Sequence, residues 1–199
     1  RETSSTSPGA AGDQTDQASQ TSCVVTGALI FRAATLADVD SLVALVESAY
    51  RGDASRAGWT TEADLLDGRR TNTDDVLAHI QRPRSQVLLA FRDGRLQACA
   101  HVAAEDGAGY FGMFSVVPTL QRTGLGKQMM AEAERIARDD YGMPVMRMTV
   151  IDVREELIAW YERRGYRRTG IKKPFPYGDE RFGIPLRDDL RFEVLEKTL

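Results

Sequence analysis

The feature that most constrains the fold is a glycine-containing loop between a predicted strand and a predicted helix. Residues 117–127 read V-P-T-L-Q-R-T-G-L-G-K and open directly into an apolar repeat of helical spacing. Glycines at a strand-to-helix junction let backbone N–H groups approach an anion, and the first helical turn adds the positive end of the helix dipole. The loop therefore predicts a phosphate-binding turn inside an α/β domain.

Two common phosphate loops do not match this spacing. The Walker loop requires Gly-x-x-x-x-Gly-Lys-Ser/Thr, but Gln121 occupies the first glycine position and Gln128 the hydroxyl position. The dinucleotide loop Gly-x-Gly-x-x-Gly begins at Gly124 but has Met129 where a small third residue is needed. What remains is Gln121-x-x-Gly124-x-Gly126 between a strand and a helix.

The apolar periodicity of the chain predicts a mixed α/β order. Thr35-Leu-Ala-Asp38 is typical of a capping box that starts a helix, and Asp93-Gly94 is typical of a tight hairpin between two strands. The predicted strands are 28–32, 85–92, 95–104, 110–117, 145–151, 166–171 and 190–197, and the predicted helices are 36–49, 73–81, 125–138 and 154–164.

Composition limits the class of protein. With 199 residues and 42% hydrophobic content, the chain can bury one core, so we expect a single domain at 27–199. Residues 1–26 are rich in Ser, Thr, Gln and Gly, and we expect them to form a disordered tail. The net charge of −3 and scattered Lys and Arg argue against a nucleic-acid partner, and no apolar run is long enough to span a membrane.

The cysteines and histidines show no spacing typical of a metal site. Cys23 and Cys99 lie far apart and form no sequence cluster with His79 or His101. We therefore expect that the protein binds no metal and that its two cysteines are structural thiols. Free thiols are typical of a reducing compartment, so we expect a cytoplasmic location.

A second motif joins the glycine loop. Leu157-Ile-Ala-Trp-Tyr161-Glu-Arg-Arg-Gly165-Tyr166 places an aromatic hydroxyl before a Gly-aromatic pair, on a predicted helix followed by a strand. With Gln121-Arg-Thr-Gly-Leu-Gly126, this order resembles the GNAT superfamily of acetyl-CoA-dependent N-acyltransferases over about residues 28–198. The resemblance implies a GNAT fold, with a central mixed, mostly antiparallel sheet of about seven strands, flanked by about four helices and splayed between the fourth and fifth strands.

The resemblance also implies how acetyl-CoA binds. The loop amides would bind the pyrophosphate, and the exposed backbone of the fourth strand would pair with the pantetheine arm. Arg154 stands where the family often has a cofactor-binding asparagine, and an arginine there can reach a phosphate or lie in solvent. The implied cofactor-binding residues are Phe114, Val116, Val117, Gln121, Arg122, Thr123, Gly124, Leu125, Gly126, Lys127 and Arg154.

Tyr161 is the implied general acid for the thiolate leaving group, although a helix aromatic packed on the sheet would have the same spacing. The family often has a carboxylate base on or near the fourth strand, but 110–117 contains none. Glu47, Glu62 and Glu105 are alternatives from neighbouring segments.

The resemblance places the acceptor between the first two helices and the loop before the last strand. Tyr50, Trp59, Glu62 and Tyr177 lie in these segments and suit an ammonium group on an apolar or aromatic body. The arginines of the same segments would equally permit an acceptor with a carboxylate; they are Arg51, Arg56, Arg69 and Arg181.

These observations favour an N-acetyltransferase that moves an acetyl group from acetyl-CoA to a primary amine of a small molecule by direct transfer in a ternary complex. No cysteine lies near the motifs to support an acyl-cysteine route. A non-catalytic acyl-CoA sensor and a protein or peptide N-acetyltransferase stay open as alternatives, and so does a homodimer.

Overall fold

Nine strands and five α-helices make up the computed structural model, which describes residues 27–199. The strands are β1 (Ile30–Ala33), β2 (Leu66–Asp67), β3 (Ser85–Arg92), β4 (Arg95–Glu105), β5 (Ala108–Val116), β6 (Val145–Ile151), β7 (Arg167–Pro174), β8 (Ile184–Pro185) and β9 (Arg191–Thr198). The helices are α1 (Val39–Tyr50), α2 (Gly52–Ser55), α3 (Thr73–Gln81), α4 (Leu125–Arg135) and α5 (Glu155–Glu162). The predictions for residues 1–26, including the tail and Cys23, lie outside the described residues.

Seven of these strands form one sheet in the order β1-β3-β4-β5-β6-β9-β7. Every neighbouring pair is antiparallel except β5 and β6, which are parallel. The β5–β6 ladder joins only Gly109 with Met146 and Tyr110 with Arg147, after which the strands separate. The predicted fourth and fifth strands are β5 and β6, so the seven-stranded mixed sheet and its splay are confirmed.

The local signals in the sequence have clear structural counterparts. Asp93 and Gly94 both have positive φ, at 51° and 71°, as a two-residue type I′ hairpin requires. The backbone N–H of Thr35 donates to the Asp38 carboxylate at 2.8 Å and completes the capping box, which begins a 3-10 turn at Leu36–Asp38 that leads into α1.

Helices cover both faces of the sheet. Successive residues of β3 alternate between two cores because strand side chains point to opposite faces with a period of two. Leu88 and Ala90 pack with α4 and α5, whereas Val87 and Leu89 pack with α1 and α3. The site residues discussed below lie where β5 leaves β6, between these layers.

A β-bulge in β5 marks the same place. The β4–β5 register shifts between Cys99 opposite Ser115 and His101 opposite Gly112. Met113, inside the bulge, has a φ of 48°, a conformation that costs a non-glycine residue about 1–3 kcal/mol. Bulges are over-represented next to active sites because they redirect the backbone and side chains of a strand.

Two features were not predicted. The two-residue strands β2 and β8 pair with each other and hold the segment after β7 against the segment between α2 and α3. The helix α4 also continues as a π-helical turn, Ile136–Asp140. Among the helices of residues 27–199, none combines the length and the apolar character needed to cross a membrane.

Candidate active site

The predicted phosphate loop forms the start of α4. Gly124 is the N-cap with a φ of 87°, and Arg122 also has a positive φ of 68°. Within the described residues, the backbone N–H groups of 122–127 donate to no protein acceptor. Free N–H groups at the positive end of an 11-residue helix are suited to an anion.

A cavity of about 550 Å³ lies against this loop, and we call it the loop cavity. Its walls come from the loop, the end of β5 and helix α5. The rings of Trp59 and Trp160 form one wall with their centroids 6.1 Å apart, and the guanidinium of Arg164 lies 3.5 Å from the centre of the Trp160 ring. Its basic lining residues are Arg122, Lys127, Arg163 and Arg164. The cavity therefore combines aromatic faces with positive charge.

Most residues predicted to bind coenzyme A line the loop cavity. They are Phe114, Val116, Gln121, Arg122, Gly124, Gly126 and Lys127. The remaining loop side chains point elsewhere: Leu125 is buried in the core, and the Thr123 hydroxyl donates to the Leu120 carbonyl at 2.7 Å. Val117 packs on the α1 face, and its N–H donates to Gln97. Leu125 and Thr123 thus have only their backbone N–H groups to offer an anion.

Gln121 holds the loop to a neighbouring segment. Its Oε1 accepts the backbone N–H of Trp59 at 2.8 Å, and its Nε2 donates to the Thr60 hydroxyl at 2.8 Å. From the other side, the Arg154 guanidinium donates to the Thr60 carbonyl at 2.7 Å. Trp59 and Thr60 are therefore fixed between the loop and the start of α5.

A second cavity, of about 390 Å³, lies beyond this segment, and we call it the arginine cavity. It is lined mainly by residues of α1, α3, β5, β6 and the segment around Arg181. Its charged lining residues are Glu62, Arg70, Asp75, Arg154 and Arg181. Arg154, whose side chain had two predicted destinations, lies here instead of in the loop cavity or in open solvent.

Glu62 is the centre of a buried ion cluster in the arginine cavity. Its carboxylate lies 2.8 Å from Arg51 Nη1, 2.9 Å from Arg154 Nη1 and 3.7 Å from Arg70 Nε. Burial alone would raise the pKa of Glu62, but the charges of these three guanidinium groups outweigh burial and hold the pKa below its ordinary value. Glu62 is therefore a fixed anion and a poor proton acceptor.

The two cavities meet at four shared lining residues: Tyr50, Phe114, Leu157 and Tyr161. The Tyr50 hydroxyl donates to the Phe114 carbonyl at the β5 bulge. Burial, with a smaller effect of Glu62, raises the pKa of Tyr50 to about 12. Tyr50 is thus a neutral donor whose proton is already engaged.

Tyr161 differs from Tyr50 in having a free hydroxyl. In residues 27–199 this hydroxyl has no hydrogen-bond partner, although the residue is only 5% exposed. Burial, and then the neighbouring Tyr50, raise the pKa of Tyr161 above its ordinary value. Tyr161 is therefore protonated at neutral pH and presents its O–H at the junction of the cavities.

The other two predicted base candidates lie outside both cavities. Glu47 accepts the backbone N–H groups of Arg70 and Thr71 at 2.7 and 2.9 Å. Glu105 pairs with Arg82 at 2.5 Å. Each of these carboxylates is thus engaged in holding a segment of the chain.

Two stacked histidines line the arginine cavity and were not predicted as site residues. The His79 and His101 rings lie 3.9 Å apart, and Nε2 of His101 lies 2.8 Å from the Ser85 hydroxyl. Burial lowers the pKa of His101 to about 3, with added repulsion from His79 and Arg82. Since the histidines come from α3 and β4, no local sequence pattern indicates that they meet.

The predicted acceptor residues separate in space. Glu62 lines the arginine cavity, Trp59 lines the loop cavity, and Tyr50 lines both. Tyr177 lines neither: it is 44% exposed, and its hydroxyl accepts the Leu190 N–H at 2.7 Å. Of the four arginines noted in these segments, Arg181 lines the arginine cavity.

Cys99 has no access to either cavity. It is fully buried in the α1 core, and burial raises the pKa of its thiol to about 12. In the part of the chain that the structure describes, no three potential metal ligands come together.

A family model described as "Acetyltransferase (GNAT) family" matches residues 46–166, which is more than half of the chain. The match contains the glycine loop and Tyr161. No curated protein matches the sequence significantly.

Solved structures with low sequence identity share the fold. A ribosomal-protein-alanine N-acetyltransferase from Brucella melitensis has a TM-score of 0.62 at 18% identity, covering 85% of this chain and 99% of its own. A nourseothricin acetyltransferase has a TM-score of 0.59 at 18% identity, covering 85% and 98%. A protein assigned as a streptothricin acetyltransferase from Bacillus anthracis, in complex with acetyl coenzyme A, has a TM-score of 0.52 at 16% identity, covering 62% and 68%.

Proposed function

Because the chain belongs to the GNAT acetyltransferase family, we propose that it transfers the acetyl group of acetyl-CoA to a primary amine of a small molecule. The observation that carries this proposal is the meeting of the two cavities at Tyr161. Two substrates that enter from opposite sides can react there directly, which is the requirement of a ternary-complex transfer.

The loop cavity has the features that a coenzyme A thioester needs. The free N–H groups of residues 122–127 suit the pyrophosphate, and Arg122, Lys127 and Arg163 suit the further phosphate charge. The separated edge of β5 beyond Tyr110 offers backbone groups to the amide-containing pantetheine arm. These three contacts would direct the thioester towards the β5 bulge and Tyr161.

The proposed chemistry needs one proton donor at the sulfur. The amine nitrogen forms a C–N bond to the acetyl carbonyl carbon, the C–S bond breaks, and the sulfur takes the proton of the Tyr161 hydroxyl. Water relays the proton lost by the amine to the Tyr161 oxygen, which restores the hydroxyl. Because the three candidate carboxylates are engaged elsewhere, the chain's contribution to amine deprotonation would be the positive field of the arginine cavity, which favours the neutral amine.

The size of the arginine cavity favours a small acceptor. About 390 Å³ lies within the range of about 300–1,000 Å³ typical of small-molecule sites. The nourseothricin enzyme among the structural neighbours acts on a small molecule, whereas the ribosomal-protein enzyme acts on a protein. Small amines and peptides must therefore be compared directly as acceptors.

The test is a binding experiment followed by turnover. Calorimetry should show acetyl-CoA binding in the micromolar range, with ATP and NAD as controls that give no signal. The same preparation should release free thiol from acetyl-CoA in the presence of at least one small amine. The rate of thiol release should be higher than with peptides that have an N-terminal alanine. Binding without thiol release from any amine or peptide would instead support a non-catalytic acyl-CoA sensor.

A further inference from the structure

The charge of the arginine cavity points to the kind of acceptor. We propose that the acceptor carries a carboxylate beside its amine, as amino acids do, and that the Arg70 guanidinium binds this carboxylate. The inference rests on the proposed acetyltransferase function, because it assigns the arginine cavity to the acceptor.

The ionisable groups of the cavity leave an excess of positive charge. Arg70, Arg154 and Arg181 line it with Glu62 and Asp75. Behind this lining, Arg51 contacts Glu62 and Asp179 pairs with Arg181. Both oxygens of Glu62 are already taken, one by Arg154 and the other by Arg51. Glu62 therefore offers little to an ammonium group, and the cavity attracts anions.

Among the arginines that line the cavity, Arg70 is the one whose guanidinium makes no hydrogen bond within the described residues, whereas the unpartnered Nε and Nη2 of Arg51 are buried behind the lining. The Nε of Arg70 lies 3.7 Å from Glu62, beyond hydrogen-bond distance. By comparison, Arg154 uses its two terminal nitrogens on Glu62 and Thr60, and Arg181 pairs with Asp179 at 2.6 Å. A guanidinium fork with free N–H groups binds a carboxylate through two parallel hydrogen bonds.

The position of Arg70 brings such a carboxylate close to the reaction junction. The Arg70 guanidinium lies 5.2 Å from the centre of the Tyr50 ring, and Tyr50 lines both cavities. A carboxylate bound to Arg70 would thus leave an adjacent amine near Tyr50, which lines the junction together with Tyr161. An acceptor with several positive charges and no anion would be repelled by Arg70, Arg154 and Arg181 and would leave the Arg70 guanidinium without a partner.

The acceptor test uses pairs that differ only in the carboxylate. Phenylalanine is compared with phenethylamine, tyrosine with tyramine, and histidine with histamine, with kcat/KM measured by thiol release from acetyl-CoA. We expect the carboxylate-bearing member of at least one pair to be favoured at least about tenfold, as one charge-assisted bidentate contact allows. Equal or higher kcat/KM for the decarboxylated members, or a preference for spermidine, would overturn the proposal.

The variant test assigns the effect to one side chain. Arg70→Gln should raise the KM of the favoured carboxylate at least about tenfold and leave the KM of its decarboxylated partner unchanged, so that the preference is lost. Arg69→Gln is the matched control, because Arg69 is exposed and lines neither cavity. Acetyl-CoA affinity should stay the same in both variants, which also shows that they fold. An unchanged preference in Arg70→Gln contradicts the assignment.

A third measurement separates this inference from the proposed function. Calorimetry with phenylalanine, tyrosine or histidine in the presence of coenzyme A reports acceptor binding without turnover. Binding that is weakened in Arg70→Gln but not in Arg69→Gln supports the carboxylate site even if no thiol is released. Thiol release from decarboxylated amines alone supports the acetyltransferase and contradicts the carboxylate site.

Discussion

The loop cavity and the arginine cavity adjoin each other but are built from different chemical groups. Besides its aromatic and basic side chains, the loop cavity offers backbone groups: free N–H groups at 122–127, a glycine N-cap and a strand edge exposed beyond Tyr110. The arginine cavity depends on side chains from separate segments, with Glu62 holding Arg51 and Arg154 in one buried cluster.

The two cavities therefore differ in ligand selectivity: backbone groups suit phosphates in general, whereas a set of charged side chains suits one class of ligand. Backbone N–H groups bind any phosphate of suitable size, so in the proposed function one loop geometry serves a common co-substrate. In the proposed function, side-chain charges recognise the acceptor, and the charged residues Arg51, Glu62, Arg70 and Arg154 lie outside the strands of the sheet. The comparison predicts that changes in the arginine cavity affect stability and acceptor choice, whereas changes in the loop cavity affect acetyl-CoA binding.

The largest effect is expected from Glu62→Gln. The substitution leaves Arg51 and Arg154 buried without their counter-charge, which costs about 3–5 kcal/mol in the free energy of unfolding. Urea unfolding measures this loss. Asp64→Asn is the matched control, because the Arg56–Asp64 pair is exposed and its loss costs less than about 1 kcal/mol. Equal stability of the two variants would show that the Glu62 cluster does not support the fold.

Gly126→Glu tests the loop cavity. A Cβ at this position would lie 3.2 Å from the Phe114 ring and 3.5 Å from Trp160, so a longer side chain must enter the cavity. Added bulk and negative charge should weaken acetyl-CoA binding at least about a hundredfold, which equals about 2.7 kcal/mol. Calorimetry gives the affinity, and an unchanged melting temperature confirms folding. Normal affinity would remove the loop from the binding site.

The histidine pair of the arginine cavity gives a dependence of stability on pH. The pKa of His101 is about 3 in the folded protein against an ordinary value of 6.5, so the unfolded chain binds a proton that the folded protein excludes. The stabilisation is complete above pH 6.5 and is lost on acidification. Between pH 7 and pH 5 the free energy of unfolding should fall by about 2 kcal/mol through His101 alone.

His101→Gln isolates this contribution to stability. His79 also has a lowered pKa, mainly through burial, and adds to the loss in the same direction. Urea unfolding at several pH values should therefore give a smaller slope in His101→Gln than in the parent protein, but not a slope of zero. Identical slopes would mean that His101 titrates normally in the folded state.

The smallest expected effect is at the junction of the cavities. Tyr161→Phe removes only the proton donor, so kcat should fall at least about tenfold while acetyl-CoA affinity is retained. Tyr166→Phe is the matched control, because its hydroxyl bonds Glu134 at 3.0 Å and lines neither cavity. Steady-state kinetics with the best amine gives both values. A similar kcat in both variants would exclude Tyr161 as the acid.

Much of the fold could be predicted from the sequence because its signals are local. Strands β3 and β6 and helix α3 have the predicted bounds, since apolar periodicity and a tight hairpin define them. The β2–β8 pair could not be predicted: two residues carry no periodicity, and their partners lie more than a hundred positions apart. The bulge at Met113 also lacks a local signal, because methionine rarely has positive φ.

The difference between local and tertiary signals also explains which parts of the candidate site could be predicted. The loop geometry around Gly124 and Gly126 depends on consecutive residues and can be predicted from them. The Glu62 cluster and the stacked histidines form only when elements distant in sequence pack together. Arg154 is an example. Its position in the motif predicted contact with a phosphate or with solvent, but its guanidinium donates to the Glu62 carboxylate. Electrostatic partners of long side chains depend on tertiary contacts that a sequence pattern does not contain.

The most direct test of the account is a crystal structure of the protein with acetyl-CoA. The account predicts the pyrophosphate on the N–H groups of residues 122–127 and the thioester at the junction of the two cavities. The sulfur should lie within hydrogen-bonding reach of the Tyr161 hydroxyl, and the carbonyl should face the arginine cavity. A cofactor bound elsewhere, or a Tyr161 hydroxyl remote from the sulfur, would contradict the proposed direct transfer.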